Sequence, residues 1–199
     1  MVKLVNQTTF ATTIKEKKLP VFTGGDIRVL FGMSSVAVSA LLHRYKKRRF
    51  ILQIKRGLYT LSDEQIPDLY VANRIYAPSY VSLEFALSYH GVIPETVYEI
   101  TSVTTKATRR FETLGKAFSF RKIKKSAYTG YEIQKEKGLS FLVADPEKAL
   151  VDLNYFRMLD VLKPISRFDR KKINLQKALR YAKLFGNAKL ASIIKTTLR

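Results

Sequence analysis

Thr23-Gly24-Gly25-Asp26-Ile27-Arg28-Val29-Leu30-Phe31-Gly32-Met33-Ser34-Ser35-Val36-Ala37-Val38-Ser39-Ala40-Leu41-Leu42-His43-Arg44-Tyr45 reads as two short helices broken by a tight turn. Ile27, Leu30 and Phe31 stand at i, i+3 and i+4, the spacing of one helical face. Gly32 supplies a stop, because glycine enters the left-handed region that ends helices. Ser34 or Ser35 then caps a second helix through its side-chain oxygen. Val38, Leu41, Leu42 and Tyr45 form the inward face of that helix. Ser35, Val36, Ser39, His43, Lys46 and Lys47 lie on the other face. Only Gly32-Met33-Ser34 joins the two helices, a connection as short as that of a helix-turn-helix.

The flanks extend the pattern. Upstream, Thr8 to Lys18 reads as a helix with Phe10, Ile14 and Ala11 inward. Leu19-Pro20 ends it, since the residue before proline is pushed out of the helical region. Downstream the period changes from helical to alternating. Phe50-Ile51-Leu52-Gln53-Ile54 reads as a strand, Lys55-Arg56-Gly57 as a turn and Leu58-Tyr59-Thr60-Leu61 as a second strand. Helix, helix, turn, helix, hairpin is the order of a winged helix-turn-helix, expected over residues 1–70. Ser62 to Pro78 reads as a linker or short connecting helix.

Residues 71–199 read as a second domain. A helix is expected over 82–90, from Leu83 to Tyr89, closing at Gly91. Strand-like segments follow at 97–105, 109–113, 116–123, 131–135 and 139–144, giving a mostly antiparallel sheet of four or five strands over about 97–144. Asp145-Pro146 marks a helix start, with Asp as cap and Pro in the first turn. That helix is expected over 146–160, with Ala149, Leu150, Leu153 and Phe156 inward. The last part, 174–198, is helical, opened by Asn174 and interrupted at Gly186-Asn187. The fold class expected for the whole chain is α+β.

Composition restricts what such a chain does. In 199 residues, 36 Lys and Arg face 16 Asp and Glu, a formal net charge of +20. With 46% hydrophobic residues the chain can bury a core, which excludes a disordered basic tail. Absence of cysteine excludes a disulfide scaffold, a thiolate zinc site and a thiol nucleophile. No apolar run reaches the roughly 18 residues of a membrane span, and the first residues lack the apolar core of a signal peptide. The expectation is a cytoplasmic protein away from membranes. The charge is uneven: +7 over residues 1–70, +3 over 71–155 and +10 over 156–199. Such an excess points to a polyanion, because each neutralised phosphate releases counterions.

Signatures of catalysis are missing, so no enzyme, catalytic residue, metal or cofactor is expected. Thr23-Gly24-Gly25-Asp26 lacks the spacing and the lysine of a phosphate-binding loop. The only histidines, His43 and His90, fall in different expected domains. His90, beside Gly91, is placed to meet the last carbonyls of its own helix. Asp145, Glu147 and Asp152 lie close in sequence, but Asp145 is already used as a cap. Lys148 and Asp152, four apart, are expected to pair weakly on the helix surface. Glu95 and Glu99 read as solvated residues.

The basic clusters carry more. In a winged helix the third helix enters the major groove and the wing reaches the adjacent backbone. The candidate DNA-binding residues are therefore Ser34, Ser35, Val36, Ser39, His43, Arg44, Lys46, Lys47, Arg48, Arg49, Lys55 and Arg56. The serines approach base edges and the cations set position on phosphate. A second basic surface is expected from Arg157, Lys163, Arg167, Arg170, Lys171, Lys172, Lys177 and Arg180. A different reading takes Phe111, Phe118, Phe120, Tyr128 and Tyr131, interleaved with Arg109, Arg110, Arg121, Lys122, Lys124 and Lys125, as a stacking platform for RNA or single strands.

Three stretches resemble one family. Tyr80-Val81-Ser82-Leu83-Glu84-Phe85-Ala86-Leu87-Ser88-Tyr89-His90-Gly91-Val92-Ile93-Pro94-Glu95 and Leu142-Val143-Ala144-Asp145-Pro146-Glu147-Lys148-Ala149-Leu150-Val151-Asp152 resemble the AbiEi-type antitoxins. The wing segment Lys55-Arg56-Gly57-Leu58-Tyr59 resembles theirs too. The resemblance spans about residues 5 to 185. It implies an antitoxin of a type IV toxin–antitoxin system, linked to abortive infection and phage defence. Its winged helix would repress the shared operon by binding double-stranded DNA at promoter inverted repeats. Its C-terminal domain would counteract a nucleotidyltransferase-like toxin, often without a stable complex. The resemblance allows a monomer in solution that binds DNA cooperatively. The second basic surface would then contact flanking DNA or screen the toxin's nucleotide or RNA substrate. A winged-helix regulator without a toxin partner is the alternative.

Overall fold

The computed structural model describes residues 5–160 and 165–198. Among them the chain is mixed α+β, with eight α-helices and nine strands. It divides into two compact units at Ile66–Pro67.

The N-terminal unit holds α1 (Gln7–Glu16), β1 (Phe22–Thr23), α2 (Gly24–Phe31), α3 (Ser35–Lys47), β2 (Ile51–Lys55) and β3 (Leu58–Leu61). Each boundary has a chemical cause. Asn6 caps α1 by accepting from Thr9 N at 2.8 Å. Thr23 and Asp26 form a reciprocal capping box on α2: Thr23 Oγ1 accepts from Asp26 N at 3.2 Å, and Asp26 Oδ2 accepts from Thr23 N at 2.7 Å. Gly32 ends α2 at φ 62°, where a side chain would be strained. Ser34, not Ser35, caps α3. The two helix axes turn by 114° across this break, inside the range of helix-turn-helix pairs. β2 and β3 pair antiparallel, and β1, a strand absent from the sequence reading, adds to β3. All four residues expected on the inward face of α3 are buried, with Phe10, Ile14, Phe22, Ile27, Ile51 and Leu61. Phe10 centres this core, stacked on Phe31 at 5.5 Å and edge-on to Tyr45 at 5.2 Å.

The C-terminal unit is built on a six-stranded sheet. Its strands are β4 (Ser79–Val81), β5 (Ile100–Thr104), β6 (Arg109–Thr113), β7 (Lys116–Lys122), β8 (Tyr131–Glu136) and β9 (Leu139–Ala144), in the order β6-β7-β5-β4-β9-β8. Three of the five pairings are antiparallel; β4 with β9 and β5 with β7 are parallel. The central strand β4 was not expected, because its three residues are all buried and show no alternation. The helices are α4 (Asp68–Ile75), α5 (Leu83–Tyr89), α6 (Pro146–Leu159), α7 (Leu175–Leu184) and α8 (Ala188–Thr197). α6 packs against α5, α7 and α8. From Glu147 through Asn154 it is buried without interruption. No single helix among the described residues is long and apolar enough to cross a membrane.

Candidate nucleic-acid interface

In the N-terminal unit, α3 shows its polar face to solvent. Ser34, Ser35, Val36, Ser39, His43, Arg44, Lys46, Lys47, Arg48 and Arg49 are all exposed. At the turn of the β2–β3 hairpin, Arg56 is exposed and Lys55 half-buried. Gly57 forms that turn at φ 79°. Ser35, Ser39, His43 and Lys46, spaced along one stripe of α3, face a groove of about 680 Å³. The N-terminus of α2 forms one wall and Gln53, Gly57 and Tyr59 of the hairpin another. Lys46 Nζ donates to Gln53 Oε1 at 2.7 Å, tying the end of the helix to β2. Asp26 is the acid of the groove, and its carboxylate is occupied by the Thr23 amide and hydroxyl.

The opposite face of α3 is anchored firmly. Tyr45 donates its hydroxyl to Val5 O at 2.8 Å, and burial pushes its pKa above the usual phenol range. Val38, Leu41 and Leu42 fill the core beside it. The outward face is thus fixed in direction by packing, while its side chains stay exposed.

The second basic set is not one open surface. Lys177 lies between two carboxylates, 3.2 Å from Asp145 and 2.9 Å from Glu147. Lys172 Nζ donates to Gly91 O at 2.8 Å and so closes the end of α5. Arg167 reaches Glu95 at 3.5 Å, with both side chains largely exposed. Arg157 is half-buried. Arg170, Lys171 and Arg180 are exposed. Lys163 lies outside the described residues.

Of the five rings expected to stack on single strands, Phe111, Tyr128 and Tyr131 are half-buried. Phe118 and Phe120 are buried, and Phe111 lies edge-on to Phe120. Tyr128 and Tyr131 pack on Tyr80, at 5.1 and 4.8 Å.

The sequence reading missed a polar cluster in this unit. Lys148 and Asp152 do not pair on a surface: both side chains are fully buried and joined to each other. Asp152 Oδ2 also accepts from Tyr80 Oη at 3.0 Å and Ser82 Oγ at 2.8 Å. The Phe185 ring lies 4.9 Å from the Lys148 ammonium. Nearby, Tyr181 donates to Asp145 Oδ2 at 2.6 Å. Burial, then the Asp145 carboxylate, pushes Tyr181 up to about 12. Gly130 lets these groups meet, since a Cβ there would stand 2.7 Å from Tyr181 Cζ. His90 likewise bonds beyond its own helix, its Nε2 lying 2.8 Å from Ala144 O. Stretches 80–95 and 142–152 are therefore spatial neighbours, joined through Asp152, His90 and the Val81–Val143 register. No stripe in the sequence marked it, because Glu147, Lys148, Asp152 and Asn154 spread polar groups around a helix that is buried from Glu147 through Asn154.

No three His, Cys, Asp or Glu side chains converge as metal ligands among the described residues. Comparison with known protein families and with curated proteins finds no match.

Proposed function

We propose that this chain is a cytoplasmic DNA-binding regulator, an antitoxin that represses its own operon and counteracts a nucleotidyltransferase-like toxin. It acts by binding rather than by catalysis. The observation that carries the DNA reading is the outward stripe of α3, capped, core-anchored and exposed over four turns, with the exposed Arg56 of the wing beside it. A helix fits the major groove, and cations at its far end and on the wing meet phosphate on either side. The toxin half of the proposal rests on the resemblance of residues 80–95 and 142–152 to AbiEi-type antitoxins.

A gel-shift titration over the gene's own upstream region tests the first half. The intact chain is expected to bind that duplex more tightly than random DNA of equal length; equal binding overturns specific repression. Co-expression with a nucleotidyltransferase gene encoded beside it tests the second half. Growth is expected to recover, and unrelieved toxicity leaves a winged-helix regulator without an antitoxin role.

A further inference from the structure

The outward residues of α3 change character halfway along the helix. In the first two turns they are Ser35, Val36, Ser39 and Ala40, all exposed, all short and uncharged. In the last two they are His43, Arg44, Lys46 and Lys47, long and mostly cationic. Val36 is 78% exposed although the core of the unit lies only a helix diameter away. Its direction is imposed, because Val38, Leu41, Leu42 and Tyr45 hold the opposite face inward. A β-branched residue gains nothing from helix propensity at such a position.

We propose that Val36, with Ala40 one turn later, reads thymine methyl groups in the major groove, so that A·T pairs lie under the first two turns of α3. This rests on the duplex-binding reading above. N-terminal residues of a recognition helix are those that reach base edges. The outward positions there offer no Arg, Lys, Asn or Gln, the side chains that grip guanine or adenine in pairs of hydrogen bonds. What they offer is two hydroxyls and an apolar stripe. Thymine is the base that presents an apolar group in the major groove. Short side chains also let the helix sit close enough for van der Waals contact with a methyl, while the cations beyond His43 hold it there.

The test uses the full chain. Selection from a random duplex library yields a preferred site, and each thymine in it is then replaced singly by uracil, which keeps every hydrogen-bonding group and removes the methyl. At one or more thymines the replacement is expected to weaken binding about fourfold, the factor one buried methyl commands. Val36→Ala is expected to bind the thymine and uracil duplexes within twofold of each other. Ile133→Ala is the control: Ile133 is 68% exposed but lies on β8 of the C-terminal unit, so the fourfold difference should persist. Insensitivity to uracil at every position, or unchanged discrimination by Val36→Ala, overturns the inference and leaves duplex binding intact. A library that yields no preferred site overturns sequence-specific reading of duplex DNA, and this inference with it.

Discussion

At Lys148 a lysine side chain is closed off from solvent altogether. Its stem crosses the interior of the C-terminal unit, and its ammonium meets Asp152 under the rings of Tyr80 and Phe185. Desolvating both ions costs several kcal/mol each, and mutual attraction repays this only when the remaining lone pairs are also satisfied. Here they are, by the Tyr80 and Ser82 hydroxyls. Burial nevertheless pushes the Asp152 carboxyl above its ordinary range, against the pull of Lys148. Removing one partner is therefore worse than removing both charges. Asp152→Ala should destabilise the unit by about 3–5 kcal/mol in urea unfolding, because it strands the ammonium. Lys148→Met with Asp152→Asn should recover most of that loss, since asparagine still accepts from both hydroxyls. A loss below about 1 kcal/mol for Asp152→Ala, the scale of an exposed pair, would show that the buried pair contributes little.

Elements behave as units with their own logic. The link between α6 and the start of α7 runs through Glu147, which accepts from Asn174 N at 2.9 Å and pairs with Lys177. Burial pushes the Glu147 carboxyl up, but the Asn174 amide and the Lys177 ammonium together hold it below the usual glutamate range. A lowered carboxyl pKa gives stability that is present above the unfolded value, about 4.3, and lost as pH falls through the folded value. Glu147→Gln should therefore lower stability at neutral pH and flatten its decline below about pH 4.3, read by thermal melts across pH. In α3 the same separation of roles predicts binding. Lys47→Ala should weaken all duplexes alike and lower the slope of log K against log salt by about 1. Ser39→Ala should instead change which sequences are preferred, measured by competition between duplexes. These helices were legible in the sequence because each has one wet and one dry face, so Val38, Leu41, Leu42 and Tyr45 announce themselves by spacing. α6 was legible in its start and its length but not in its environment. A helix buried on all sides leaves no polar stripe, and Lys148 and Asp152, four apart, look like any surface pair. β4 was hidden for a related reason: three buried residues carry no period.

For the whole molecule the question is how much of the +20 net charge can reach a polyanion. Much of the positive charge in the C-terminal unit is engaged. Lys148 is buried, Lys172 closes α5, Lys177 lies between carboxylates, and Arg121 pairs with Asp160 at 2.8 Å. Arg110 pairs with Glu99 and Glu112. A pair already formed releases fewer counterions on meeting phosphate than an exposed, hydrated cation does. Each such pair already cancels within the net charge, so the +20 excess lies on the other cations, and the salt dependence of affinity measures how many of them meet phosphate. In B-DNA each phosphate contact contributes about 0.9 to the slope of log K against log salt. Replacing Arg170, Lys171 and Arg180 together by alanine in the full chain is expected to reduce that slope by up to about 2.7, since all three are exposed. Lys177→Ala should leave the slope where it is, because its ammonium faces Asp145 and Glu147. An unchanged slope for the triple variant would mean that these side chains do not touch phosphate. On the antitoxin proposal their exposed charge would then be free for the proposed action against a toxin, which the triple variant should weaken in the co-expression assay while promoter binding stays intact.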